Sequence, residues 1–158
     1  MHEVRRARPE EAPVLLQLIL GLAEYEKLEP PDEAAQQRLV RDIFGEKPRL
    51  EAWLVFVNGE AAGYALVFET YSSFLALPTL YLEDIFVKPE YRGCGAGKAL
   101  FLRLVEEAER RGCGRMEWVV LDWNRPALDF YERFGARRLN EWITMRLTRA
   151  DFGRILKE

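Results

Sequence analysis

The chain has 158 residues, 49% of them apolar and 31% charged, with a formal net charge of −3; this is the size and balance of one globular domain rather than of a disordered or fibrous protein. An acidic chain is a poor nucleic-acid partner, since neutralising phosphates needs a basic surface. No uncharged apolar run reaches the roughly 18 residues of a membrane span, and Met1-His2-Glu3-Val4-Arg5-Arg6 lacks a signal peptide's apolar core, so the sequence reads as a single cytoplasmic domain over residues 1–158 with no membrane partner.

Val14, Leu15, Leu18, Ile19 and Leu22 recur at helical spacing after Pro9-Glu10-Glu11 and predict a first helix over about residues 9–24. Tyr25 to Pro31 reads as a loop. Asp32 caps a second helix with the stripe Ala35, Leu39 and Ile43, ending near Gly45. Glu51–Val57 and Glu60–Tyr71 flank Asn58-Gly59, a dipeptide suited to a two-residue hairpin turn, and are expected to pair antiparallel.

Leu80–Lys88 reads as a strand, Gly95–Arg111 as a helix closed by Gly112, and Arg115–Asp122 as a strand. A strand, long helix and strand in this order form a crossover, so the two strands are expected to run parallel. A short helix at Pro126–Phe134 follows, then strands near 136–141 and 142–147. Thr148-Arg149-Ala150-Asp151 is a capping box for a terminal helix. Two cysteines, Cys94 and Cys113, and one histidine, His2, build neither a zinc set nor a disulfide framework, so no metal is expected.

Tyr91-Arg92-Gly93-Cys94-Gly95-Ala96-Gly97-Lys98 sets three alternating glycines between a strand and a helix start. Glycines let backbone approach a ligand, and free N–H groups at a helix N-terminus bind phosphate oxygens, which makes a pyrophosphate the natural occupant. Neither a Walker loop nor a dinucleotide-binding fingerprint fits this spacing. Arg92, Gly95 and Gly97 instead resemble the acetyl-CoA loop of GCN5-related (GNAT) N-acetyltransferases, whose core is Arg/Gln-x-x-Gly-x-Gly/Ala. Trp123-Asn124-Arg125-Pro126-Ala127-Leu128-Asp129-Phe130-Tyr131 and Phe134-Gly135-Ala136 are similar to the same family's segment after its fifth strand.

The resemblance narrows to the diamine (spermidine/spermine) branch through Leu22-Ala23-Glu24-Tyr25-Glu26, Tyr81-Leu82-Glu83-Asp84-Ile85-Phe86-Val87 and Glu141-Trp142. It implies an α/β (α+β) fold with a mixed, mostly antiparallel sheet of about six to seven strands, splayed between two central parallel strands and flanked by about four to five helices. By the same resemblance Tyr25, Glu26, Glu83 and Glu141 line the acceptor site. Ile85, Phe86 and Val87 hold pantetheine and thioester, and Arg92, Gly93, Cys94, Gly95, Ala96, Gly97 and Lys98, with Asn124, Arg125, Pro126 and Ala127, hold the rest of CoA. A homodimer is also implied.

Chemistry fits these roles. An alkylammonium with a pKa near ~10.4 must lose a proton before attacking a thioester, and Glu83, directly or through water, is the candidate acceptor. Backbone N–H groups near Phe86 or Val87 serve an oxyanion if the strand is splayed or bulged there, and Tyr131 protonates the departing thiolate. Glu83 and Asp84 interrupt an apolar strand, so alternation sends one carboxylate to each face. The expected activity is acetyl transfer from acetyl-CoA to a di- or polyamine or lysine-like amine in a ternary complex. The rivals are another acceptor, such as an amino acid, an aminoglycoside or a protein amine, and a catalytically silent acyl-CoA-binding module.

Overall fold

Residues 52 to 55 of the chain send Ala52 and Leu54 to one side of a sheet and Trp53 and Val55 to the other, and all four are buried. A sheet buried on both faces must be covered by helices on both, and the rest of the first unit follows from that. The computed structural model describes every residue from Met1 to Glu158. It divides into two compact units, Met1–Val119 and Val120–Glu158.

In the first unit β1 (His2–Arg6), α1 (Ala12–Glu26), α2 (Glu33–Phe44), β2 (Glu51–Val57), β3 (Glu60–Ser72), β4 (Leu77–Val87), α3 (Ala96–Arg110) and β5 (Arg115–Glu117) follow in order. The five strands lie in chain order, antiparallel except for the parallel pair β4 and β5. On one face Leu100, Leu104 and Ala108 of α3 pack on Trp53, Val55, Ala65, Val67, Leu80 and Leu82. On the other, Leu15, Leu18 and Ile19 of α1 and Ile43 of α2 pack on Ala52, Leu54, Tyr64, Leu66 and Phe86. Each leucine, isoleucine, valine and phenylalanine among these side chains contributes on the order of 1.5–3 kcal/mol by leaving water.

The predicted local signals act as read. Asp32 Oδ1 accepts from the Ala35 N–H at 2.8 Å to start α2, Asn58 and Gly59 take φ of 50° and 85° in the hairpin turn, and β4 and β5 are parallel. Arg111, just past α3, ties that helix to the sheet: its guanidinium reaches Glu51 at 2.6 Å and Glu69 and Glu107 at 3.2 Å each. Glu107 is buried in a helix end, a site no lone carboxylate would tolerate, and Arg103 and Arg110 also bond it. The Arg110 guanidinium above all, with that of Arg111, holds its pKa down at about 2.

In the second unit α4 (Arg125–Arg133) starts with the Ala127 N–H donating to Asn124 Oδ1 at 3.3 Å, and α5 (Arg149–Leu156) starts with Thr148 and Asp151 bonded as a capping box. No helix in either unit is long and apolar enough to cross a membrane.

Four expectations are corrected. The sheet has five strands, not six or seven. Residues 136–147 form no strand, because a strand exists only against a hydrogen-bonding neighbour; their backbone donors bond only locally, Ala136 N–H to the Tyr131 carbonyl and Trp142 N–H to that of Leu139. β5 ends at Glu117, five residues before the expected Asp122. α1 runs through Glu26, so Tyr25 and Glu26 are helical; Lys27, left-handed at φ 59°, closes the helix with its N–H on the Ala23 and Glu24 carbonyls. β1 carries no strong alternation and was not expected.

Candidate active site

The 92–98 segment has the geometry its glycines suggest. Gly93 and Gly95 adopt φ of 78° and 90°, a backbone that side-chain-bearing residues rarely take, and Gly95 caps α3. The first helical bond runs from Ala99 N–H to the Gly95 carbonyl at 2.9 Å, so the N–H groups of Ala96, Gly97 and Lys98 have no acceptor within the helix. Together with the helix dipole they form an anion cradle. Cys94 does not contribute its thiol, which bonds the Tyr91 carbonyl at 2.9 Å. Gly97 needs no special space, since a Cβ there would make only ordinary contact, 3.7 Å, with Val87.

Ile85, Phe86 and Val87 pair with Ala65, Tyr64 and Gly63 on the β3 side. On the other side β5 pairs only with Thr79, Leu80 and Tyr81, so β4 has an edge without a strand partner from Leu82 to Val87. That edge offers backbone donors and acceptors to an extended ligand such as pantetheine. Arg92 turns back toward the sheet. Its Nε donates to the Val87 carbonyl at 2.9 Å, and its guanidinium lies 4.8 Å from the Tyr25 ring and 5.6 Å from that of Phe86. One loop residue therefore touches both the β4 edge and an acceptor-site candidate.

β4 is bulged, not at Phe86 or Val87 but earlier in the strand. Leu66 pairs with Asp84 and Val67 with Leu82, leaving Glu83 as the extra residue. The insertion resets the alternation, so Asp84 and Phe86 lie on the α1 side with Tyr64, while Leu82 and Ile85 lie on the α3 side. Glu83 is exposed at the bulge and Asp84 is half-buried. The pairing of β3 and β4 is close here: a Cβ on Gly63 would lie 2.4 Å from the Phe86 carbonyl oxygen, and one on Gly21 of α1 2.9 Å from the Phe86 ring.

Glu26 and Glu83 are near enough to Asp84 for their charges to raise its cost of ionisation. Burial, together with the charges of Glu83 and Glu26, pushes the Asp84 carboxyl up to about 6, although a hydrogen bond from Tyr64 works the other way. Burial raises Glu26 as well. None of the three carboxylates has a cationic side chain within ion-pair distance. Tyr64 was not among the sequence candidates. Its signal was present, because a tyrosine in an apolar buried strand has to find a partner for its hydroxyl.

The first unit thus brings together Tyr25, Glu26, Glu83, Ile85, Phe86, Val87 and the 92–98 loop. Asn124, Arg125, Pro126, Ala127, Tyr131 and Glu141 belong to the second unit. There Asn124 and Tyr131 are buried, and Glu141 is exposed in a turn between α4 and α5. No cluster of three or more His, Cys, Asp or Glu side chains is arranged to hold a metal.

Residues 17–136 match the acetyltransferase (GNAT) family. A thialysine N-epsilon-acetyltransferase from Bos taurus is 39% identical over 146 residues, covering 87% of this chain and 85% of the relative. A spermidine/spermine N(1)-acetyltransferase-like protein from Homo sapiens is 30% identical over 159 residues, covering 94% of this chain and 23% of that longer protein. Among solved structures, an integron cassette protein from the mobile metagenome of V. cholerae superimposes with a TM-score of 0.81 at 22% identity, over 99% of this chain and 98% of that one.

Proposed function

Because the chain belongs to the acetyltransferase (GNAT) family, we propose that it transfers the acetyl group of acetyl-CoA to a small cationic primary amine, a di- or polyamine or a lysine-like amine. The observation that carries the acceptor class is the group of Glu26, Glu83 and Asp84, three neighbouring carboxylates with no cation of their own chain. A flexible aliphatic polycation offers little shape, so it is read by charges along its length. The names of two relatives, one for thialysine and one for spermidine and spermine, point to the same acceptor class. The match over 17–136 crosses from the first unit into the second, which supports treating 1–158 as one functional domain.

In this reading the N–H groups at the start of α3 and Gly93, Gly95 and Gly97 take the pyrophosphate, the open β4 edge from Ile85 to Val87 takes pantetheine, and Asn124 to Ala127 complete the CoA site. Tyr25, Glu26, Glu83 and Glu141 take the amine. A carboxylate removes the ammonium proton, the neutral amine attacks the thioester carbonyl, and Tyr131 gives its phenolic proton to the departing thiolate. Backbone donors along the open edge at the end of β4 suit the developing oxyanion. The enzyme works in the cytoplasm as a homodimer; Trp142, Ile143, Met145 and Leu147, exposed and without a strand partner, support a self-association surface.

The test is an acceptor screen with purified protein, followed by release of CoA thiol. Diamines, polyamines and lysine analogues should be acetylated. Turnover confined to a neutral amine or a protein N-terminus would refute the acceptor class and leave the acetyltransferase.

A further inference from the structure

Tyr64 is wholly buried among Leu15, Leu18, Ile19, Leu54, Leu66 and Phe86, where a phenylalanine would fill the same space without a polar atom. Burying a hydroxyl is costly unless it is bonded, and this one has a single bond: Oη donates to Asp84 Oδ2 at 2.9 Å. The only function the structure gives that hydroxyl is therefore to fix Asp84. The bulge at Glu83 is what brings the two together, since in unbroken alternation from Leu82 it is Glu83 that would take the α1 face and Asp84 that would face α3.

Building on the amine acetyltransferase reading above, we propose that Asp84 is the carboxylate that takes the proton of the acceptor ammonium, and that Tyr64 is its positioning residue. Glu83, assigned that step from sequence, then serves with Glu26 to hold the amine by charge.

Three features support the exchange of roles. With Oδ2 held, Oδ1 makes no hydrogen bond within the chain and is left for the substrate. Asp84 is half-buried and Glu83 exposed, so a proton taken by Asp84 is better shielded from water. The groups facing Asp84 are the Tyr64 hydroxyl from β3, Glu26 from α1 and Glu83 from its own strand, with no cation among them. Burial and the two neighbouring charges hold its proton affinity near neutrality, which suits a general base.

The step balances: R–NH3+ and the Asp84 carboxylate give R–NH2 and the Asp84 carboxylic acid. The amine forms the C–N bond as the C–S bond breaks, Tyr131 gives its phenolic proton to the CoA thiolate, the second nitrogen proton is released and balances the one that restores the Tyr131 hydroxyl, and Asp84 returns its proton to water.

The experiment measures kcat/KM for a diamine against pH in the wild type and in Tyr64→Phe, Asp84→Asn and Glu83→Gln, with acetyl-CoA affinity by calorimetry as a check on folding. Wild type should show an acid limb near pH 6. Tyr64→Phe removes a bond that favours the ionised carboxylate, so the limb should move to higher pH, with kcat/KM falling about ten- to a hundredfold and acetyl-CoA binding retained. Asp84→Asn should lose the limb and about 10²–10⁴-fold in rate, while Glu83→Gln keeps the limb and raises KM.

A second readout needs no turnover. The Asp84 carboxyl sits above its unfolded value of 3.8, so its share of stability is present below pH 3.8 and lost as pH rises through about 6. That loss should disappear in Asp84→Asn. A limb that survives in Asp84→Asn and vanishes in Glu83→Gln would overturn the proposal while leaving the amine reading intact. A wild type that acetylates no amine at all would overturn both.

Discussion

Placing a valine at position 95 separates the cost of backbone strain from the loss of an anion site. Gly95 sits at φ 90°, where a residue with a Cβ costs about 1–2 kcal/mol. The added Cβ would lie 3.3 Å from His2 Cε1, the tip of an exposed side chain free to move, so sterics add little. For a chain of this length that strain lowers Tm by about 2–8 °C. The effect on cofactor is expected to be larger. Charge-assisted N–H bonds to phosphate are worth about 1.5–3 kcal/mol each. Displacing two at the helix cap would weaken acetyl-CoA binding by about 10²–10⁴-fold. Gly112→Val is the matched control: it sits at φ 72° just past the other end of α3, and a Cβ added there would have no atom within 4 Å. Titration calorimetry with acetyl-CoA should show the loss for Gly95→Val alone. Equal losses in both variants, or affinity within about threefold of wild type in Gly95→Val, would refute the loop assignment.

Tyr131→Phe keeps the buried ring and removes the hydroxyl, so kcat should fall by about 10²-fold or more with acetyl-CoA affinity nearly unchanged, as read by single-turnover kinetics. Glu26→Gln keeps size and removes charge, so KM should rise much more for a diamine than for a monoamine of equal length, and added salt should narrow that difference, since exposed charges are screened over about 8–10 Å. Arg111→Met breaks contacts to Glu51, Glu69 and Glu107, but Glu107 keeps Arg103 and Arg110 and Glu51 keeps Arg6, so about 1–3 kcal/mol should be lost in urea titrations at pH 7. Glu107 is held below its ordinary value of 4.5, at about 2, so this contribution is present above pH 4.5 and fades as pH falls toward 2. A gap of the same size at pH 3 would make the effect one of packing rather than charge.

The features legible in the sequence are those in which neighbours along the chain decide the outcome. Asp32 caps α2, Asn58-Gly59 turns the hairpin and Thr148 to Asp151 open α5, because each bond closes within a few residues. The 92–98 loop was legible for the same reason, since positive φ at Gly93 and Gly95 is a local property and the helix it opens supplies the free N–H groups. Residues 136–147 carry strand-like composition yet pair with nothing, since hydrogen-bonding partners come from elsewhere in space. Glu83 and Asp84 were visible as misplaced charges in an apolar strand, but their faces depended on a one-residue bulge against β3, which no property of β4 alone specifies. That register put Asp84 rather than Glu83 beside the Tyr64 hydroxyl, 20 positions away in the chain. Sequence thus determined which residue types the candidate site contains, and tertiary structure decided which carboxylate is the more buried, because burial and pairing are properties of neighbours that only the folded sheet brings together.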